Sequence, residues 1–576
     1  MDIQEIQKTP IWELFEKGRN YNRMMGLFID TDRNYRMYNG NQWAGAKLGG
    51  VEPVQLNFIK PIVKYKIAVL HSNLYAINYS SLNHRDPKTH KLTERVCKLM
   101  NGYAGRIWEA DKMDVKNREL TLDAAINDEG IIYVNFDREK MQPMNEIIDK
   151  NDIYYGNENS DDIQSQPYIL IRKRMPVANA VELAKNEGVS EEDLNYLVGD
   201  MDTFEQAGEA AKQELDNMVS IIYKMYKLNG TVHFSAATKW VEIIKDEDLG
   251  IARYPVAHFL WERKKGSSRG EGEVRYLIAN QIEVNKTLTR RALTVKSQSF
   301  PHRVVNKNKV RDIQELDRVG GTIVTEDQTV DDVHKIVGTI PPAQMSPDVV
   351  KLQDDLINIT RELAGAGDVA TGQVNPEDAS GRAILAVQRA SQEPLTMQRE
   401  DFKGYIEDVA LIWLEYFTAY SEQGLELEET VSDPVTGEEI VQLVKVPQAL
   451  LQDLKASVKI DVTPKGVYDR FAQEQTLENM LLNGLFRVDR LSELEVYVEL
   501  LDDDAVAPKQ KLKKACELMR AEQQKIAMIQ NSAKLMQQRA QQFLMSDLGD
   551  QASMVSDART QIEAREQALL PEEEIT

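Results

Sequence analysis

From about residue 271 the chain stops alternating short helical and extended patterns and becomes a series of long amphipathic helices. That change constrains the fold most. Residues 271–297 carry Leu277, Val284, Leu288, Ala292 and Val295 near one face, with Arg275, Glu283, Lys286 and Arg290 at helical spacing on another. A second helix has a written start, Ser346 at the N-cap position and Pro347 at the first helical one. Its apolar residues Val349, Leu352, Leu356, Ile359 and Leu363 fall at 4-and-3 spacing until the GAG at 365–367 stops it. Between the two lies a compact insert of some 45 residues, read as strand 303–306, helix 309–316 and strands 321–325 and 333–337, closed by Pro341-Pro342. Two helices therefore flank a small mixed unit as arms flank a hinge.

Before this point the chain reads as α+β with an antiparallel sheet. NFIKPIVKYKIAVLHSNLYAINYS (57–80) reads as helix turning into strand, His90–Trp108 as an amphipathic helix, and GIIYVNFD (130–137) and YILIRKR (168–174) as strands. The acidic, Asn-rich stretch 149–163 reads as a loop, and helices are expected at 177–187 and 190–217. After the second arm a very long helix is expected from about 380 to 421. Pro394 should kink it, because proline removes a backbone bond and clashes with the preceding turn. Beyond the kink Phe402, Ile406, Val409, Trp413, Phe417 and Tyr420 form one apolar stripe, read as core. A hairpin turning at DPVTG, a strand at 458–464 and a helix at 467–483 follow. The last helix, from Pro508 to about Phe543, repeats Leu512, Ala515, Met519, Ile526, Ile529, Ala533, Met536, Ala540 and Phe543 on a 3-and-4 rhythm broken only by Glu522. Such a seam suits packing against copies of itself.

Composition narrows the function classes. The formal net charge is −22, which argues against a protein that coats nucleic acid, since counterion release needs clustered Lys and Arg. The charge is uneven: residues 262–311 hold thirteen Lys/Arg against four Glu, a net of +9, whereas 547–576 holds eight acids against two Arg, a net of −6. An acidic body with one basic segment suggests one place made for polyanion contact, or else a solvated basic face. Two distant cysteines, Cys97 and Cys516, fit a reducing compartment rather than a disulfide framework or zinc site. No apolar run approaches the ~18 residues a membrane span requires, and no leader is visible, so the chain reads as soluble and made in the cytoplasm.

Motifs that would mark catalysis fail on inspection. GDVATGQV (367–374) has the glycine spacing of a phosphate loop, but a helix precedes it, the lysine is missing, and Asp368 stands where phosphate would sit. GSSRG (266–270) fits the nucleophile elbow by pattern, with Ser268 as the nucleophile, but its charged surroundings suggest an exposed loop. The seven histidines show no metal-ligand spacing. The chain reads as a non-enzyme without cofactor or metal.

The order of parts resembles the portal proteins of tailed bacteriophages. RNYRMYNGNQW (33–43), LNFIKPIVKYKIAVLHSN (56–73), YPVAHFLWE (254–262), the run from GEG to LIANQIEVNKTLTRR (270–291) and ELAGAGDVATGQVNPEDASGRAILAVQ (362–388) carry the likeness. These are loose patterns, and their specificity lies in their order. The resemblance implies an α+β portal fold with a mixed wing (1–265 and 422–485), a two-helix stem (266–299 and 346–364), a small α/β clip (300–345), a tunnel loop (365–379), a long kinked helix (380–421) and a helical crown (486–576). It also implies a homo-oligomeric ring of twelve subunits at one capsid vertex of the virion, through which double-stranded DNA is packaged and ejected. The implied partners are the large terminase, the head–tail adaptor, and the major capsid and scaffolding proteins. By residue, the tunnel loop would present Asp368, Thr371, Gln373 and Asn375 to DNA, and the clip Arg303, Lys307, Lys309, Arg311 and Asp312 to terminase or adaptor. On the stem, Lys286 and Arg290 would touch DNA phosphates, or instead pair with Glu283 or with Asp354 and Asp355. Leu512, Met519, Ile526, Ile529 and Met536 would join crown helices of neighbouring copies. Another phage head or connector protein, or a serine hydrolase using Ser268, are the alternative readings.

Overall fold

The computed structural model describes residues 3–47, 51–81, 87–200, 217–299, 303–305, 337–340, 345–366, 393–421, 424–432, 439–462, 465–466, 477, 479–481, 491–500, 509–546 and 559–565. Two compact units result, Met1–Pro464 and Lys465–Thr576.

The first unit is built on two antiparallel sheets. One is a five-stranded meander in chain order, Ile153–Tyr155, Tyr168–Pro176, Met218–Leu228, Thr231–Ala237 and Glu242–Asp248. The other places Glu129–Asp137 between Val256–Leu260 and Gln142–Ile148. The central strand of that second sheet is buried along nearly its whole length, which its β-branched content anticipates.

The Thr396–Tyr420 helix fills the space against this sheet. Phe402, Ile406, Val409, Trp413 and Phe417 are each at most 1% exposed, so the expected stripe is core. Its polar tips find partners. Trp413 Nε1 donates to Asn145 Oδ1 at 3.0 Å, Tyr416 Oη to the Val134 carbonyl at 3.1 Å, and Tyr405 Oη to Asn117 Oδ1 at 3.1 Å. Glu415, buried on the same helix, accepts the backbone N–H groups of Ala252 and Arg253 at 2.7 and 2.9 Å. A hairpin, Leu425–Ser432 with Glu439–Val446, and the strand Val458–Val462 paired to Ile77–Ser81 complete the unit.

Several expectations need correction. The stretch 149–163 is not all loop, since Ile153–Tyr155 forms the edge strand of the meander. The helix expected over 190–217 stops at Leu194. There the chain turns to pair with the sheet: Asp200 N donates to the Met218 carbonyl at 2.9 Å and Ser220 N to Asp200 Oδ2 at 2.7 Å. Residues 201–216 lie outside the described residues.

In the second unit, Leu491–Leu500 packs against the long helix Lys509–Ser546. The expected seam is divided in its fate. Leu512, Met519 and Ile526 are exposed (36%, 49% and 54%), whereas Ile529 and Met536 are half-buried and share a cavity of about 300 Å³ with Ile562 and Arg565 of the same chain.

Candidate functional site

The first long helix, Glu273–Ser299, is held to the body by polar side chains rather than only by its apolar face. Gln281, Asn285 and Thr289, spaced four apart, lie on one line of the helix. Against them runs the segment 51–58, which has no regular secondary structure. Its N–H groups at Phe58, Leu56 and Val54 donate to Gln281 Oε1, Asn285 Oδ1 and Thr289 Oγ1, each at 3.0 Å. Gln281 Nε2 returns a bond to the Leu56 carbonyl at 2.5 Å, and Asn285 Nδ2 donates to Gln42 Oε1. Alternate backbone amides of this segment thus meet every fourth residue of a helix, whose side chains supply the acceptors that regular secondary structure would otherwise provide. At the helix start Glu273 binds Lys66 at 2.7 Å and accepts from Trp261 Nε1 at 3.2 Å, a negative charge where the helix dipole favours one.

The second long helix is Pro347–Leu363, and Ser346 caps it as expected by accepting from Asp348 N. It meets the first helix through Asn280 Nδ2 to Thr360 Oγ1 at 2.9 Å and Arg291 to Gln353 at 2.7 Å. The buried positions here are the polar Gln353 and Thr360. Leu352, Ile359 and Leu363, which fall on one stripe, are 54%, 52% and 82% exposed. The first helix exposes Leu293 and Val295 at its far end (40% and 62%). This apolar surface lies away from the packed face of the helix, where Gln353 and Thr360 are buried and Leu356 and Ile357 are half-buried against the core, and is open to a partner.

Lys286 and Arg290 are both exposed on the first helix. Each lies near Glu283, at 3.7 and 3.8 Å, so the Glu283 pairing is present, while Asp354 and Asp355 do not enter an ion pair with them. Pairs this exposed are worth at most about 1 kcal/mol and leave both cations available to another anion.

Gly365 ends the second helix at φ +70°, and a Cβ there would sit 3.5 Å from the Pro394 ring. Pro394 itself lies in a 3-10 turn, Glu393–Leu395, from which the core helix starts at Thr396. The two ends of the 367–392 segment therefore lie side by side. Asp368, Thr371, Gln373 and Asn375 fall inside that segment and outside the described residues, as does the expected helix before the kink. Of the insert, the strands Arg303–Val305 and Val337–Thr339 pair antiparallel and close its base, while Lys307, Lys309, Arg311 and Asp312 lie outside the described residues.

Ser268 is not in an exposed loop. It is 5% exposed, its Oγ donates to the Asn157 carbonyl at 3.1 Å and accepts from Gln166 Nε2 at 3.2 Å, and its N–H donates to the Glu158 carbonyl at 2.9 Å. A nucleophile needs a base and access, and Ser268 has neither. Its neighbour Arg269, also 5% exposed, is an anchor. The guanidinium binds Glu129 and Glu158, the latter through two nitrogens at 3.0 and 3.1 Å, donates to the Ile153 carbonyl at 3.2 Å, and stacks 5.0 Å from the Tyr155 ring. These carboxylates push the Arg269 pKa up despite its burial. One arginine so ties both sheets to the loop that leads into the first long helix. Residue-type reasoning reads a Lys/Arg-rich segment as solvated, and only the flanking glycines hint otherwise. A Cβ at Gly270 would sit 2.5 Å from the Glu262 carbonyl oxygen, and one at Gly272 2.4 Å from that of Asn127.

Among the described residues no group of three or more His, Cys, Asp or Glu is gathered for a metal, and no helix is long and apolar enough to cross a membrane. No curated protein matches the chain. The family model described as "Phage P22-like portal protein" matches residues 28–570. That is nearly the whole sequence, and it spans the sheets, both long helices, the insert, the core helix and the C-terminal helices. The chain belongs to the P22-like phage portal proteins, a structural family whose membership implies a homo-oligomeric ring in the phage head.

Proposed function

We propose that twelve copies form a ring at one capsid vertex whose channel passes double-stranded DNA during packaging and ejection. In this reading the two long helices are the stem, the 300–345 insert is the clip that docks terminase and later the head–tail adaptor, and 365–379 lines the tunnel. The unpartnered stripe Leu352, Ile359 and Leu363 supports it most, because a ring gives those side chains the neighbour they lack within one chain.

The electrostatics fit a conduit. A channel for a polyanion must not grip it, since translocation would stall in wells of several kT. An acidic chain with sparse exposed cations meets that need. Lys286 and Arg290 make the stem contacts with phosphates, loosely, because each is already shared with Glu283. The clip contacts are assigned to Arg303, Lys307, Lys309, Arg311 and Asp312, the tunnel contacts to Asp368, Thr371, Gln373 and Asn375. Leu512, Met519 and Ile526 are assigned to crown contacts between copies.

The double variant Lys286→Glu, Arg290→Glu tests the channel role. Rings should still form, and packaged particles should retain less DNA. Packaging and retention equal to wild type would overturn the stem assignment.

A further inference from the structure

The strand Gln142–Ile148 turns Met144 to solvent, 48% exposed, and buries the next residue, Asn145, at 4%. Side chains alternate across a strand, so an asparagine holds a core-facing place that an apolar side chain would fill with no polar atoms to satisfy. Both ends of its amide are fixed. The fully buried Trp413 donates from Nε1 to Oδ1 at 3.0 Å, and Nδ2 donates to Asp111 Oδ2 at 2.7 Å. That carboxylate oxygen also accepts the Asn145 N–H at 3.2 Å. The other oxygen of Asp111 binds the Lys116 amine, which in turn donates to the Asn145 backbone carbonyl at 2.5 Å. An amine, a carboxamide and a carboxylate that touches both are gathered around one residue.

The backbone is shaped to bring the carboxylate there. Asp111 and Lys116 are five residues apart, a spacing that on a regular helix sends side chains to different faces. Lys112 breaks the regularity, because it stands at φ +52° directly before the helix Met113–Ile126. Such strain in a non-glycine residue persists only where its surroundings enforce it. The side chains of Lys116 and Asp111 are 27% and 25% exposed, so the cluster is shielded yet keeps a path to water.

We propose that Lys116 and Asn145 close an intramolecular isopeptide bond, with Asp111 moving the protons. Lys116 passes a proton to Asp111 Oδ1, and the freed lone pair of Nζ attacks Asn145 Cγ. The negative charge that develops on Asn145 Oδ1 is met by the Trp413 indole N–H, already in place. The intermediate collapses as the Cγ–Nδ2 bond breaks, and Nδ2 leaves as ammonium, protonated by way of Asp111 Oδ2. The two protons that Nζ loses are the two that Nδ2 gains. Asp111 ends as the carboxylate it began as, and no oxidant or cofactor enters. The new bond would tie the strand Gln142–Ile148 to the helix Met113–Ile126 beside the core helix that carries Trp413.

The test is the intact mass of the purified full chain, freshly made and after prolonged incubation, followed by tryptic mapping. The expected result is a chain lighter than its sequence by one ammonia, uncut after Lys116, with a branched peptide joining Lys116 to Asn145. Lys116→Arg keeps the charge and should restore the full mass. Asp111→Asn should slow closure by about 10²–10⁴-fold. Trp413→Phe, which keeps a ring but removes the N–H, should slow it by about 10²–10³-fold. An unaltered wild-type mass after incubation would overturn the proposal, and is the pattern expected when these groups form only a packed polar cluster. So would loss of ammonia with Lys116 and Asn145 still on separate linear peptides. The wild-type chain alone decides between these outcomes, whether or not a variant folds.

Discussion

Replacing Gln281 with leucine removes one rung of the ladder that fastens the first long helix to residues 51–58. The Phe58 N–H loses its acceptor at 3.0 Å and the Leu56 carbonyl loses its donor, in a place where Gln281 is fully buried. Leaving a buried donor unsatisfied costs about 1–3 kcal/mol, and tenfold in an opening equilibrium corresponds to about 1.4 kcal/mol. The Phe58 amide should therefore exchange with deuterium about 5- to 150-fold faster. Native-state hydrogen exchange reads this locally, which matters because a chain with two compact units need not unfold in one step. Thr289→Val should speed exchange at Val54 instead, leaving Phe58 protected. If Phe58 exchange is unchanged in Gln281→Leu, the ladder does not hold the segment, and the attachment of this helix must rest on its apolar face alone.

Other consequences can be checked separately. Ile359→Glu with Leu363→Glu should leave the fold of single chains within about 0.5 kcal/mol of wild type, because both sites are exposed, yet reduce ring formation measured by light scattering. Trp413→Ala should cost about 3–5 kcal/mol of stability in the first unit, read by denaturant melts, since it empties a fully buried site and orphans Asn145 Oδ1. His71 is held near a pKa of about 4, chiefly by burial, with the Arg118 charge adding and Asp114 opposing. Its folded value lies below the unfolded 6.5, so its contribution is intact above pH 6.5 and is lost as pH falls toward 4, by at most about 3 kcal/mol. His71→Gln should flatten that part of the stability–pH curve. Ser268→Ala should alter no hydrolytic activity.

What the sequence made legible follows physical type. Local backbone signals transferred directly: Ser346–Pro347 starts a helix, Gly365 ends it, and the Phe402–Phe417 stripe is core. Polar side chains serving the backbone were not legible. Gln281, Asn285 and Thr289 at helical spacing look like a solvated face, and nothing local says that a segment some 230 residues earlier in the chain will lie on them. Arg269 was hidden likewise, because burial of a guanidinium depends on carboxylates at 129 and 158 brought in by the fold. The apolar rhythm of Leu352, Ile359 and Leu363 was visible, but periodicity cannot say whether its partner lies in the same chain. The C-terminal helix shows the same limit: Ile529 and Met536 find Ile562 within the chain, whereas Leu512, Met519 and Ile526 do not.

Electron microscopy of the purified chain, alone and co-expressed with the proposed scaffolding and capsid partners, tests the central claim most directly. The account predicts closed rings of twelve subunits with an axial channel, in which the Leu352, Ile359 and Leu363 stripe is covered by a neighbouring copy. Single chains under both conditions, or assemblies without a channel, would contradict it.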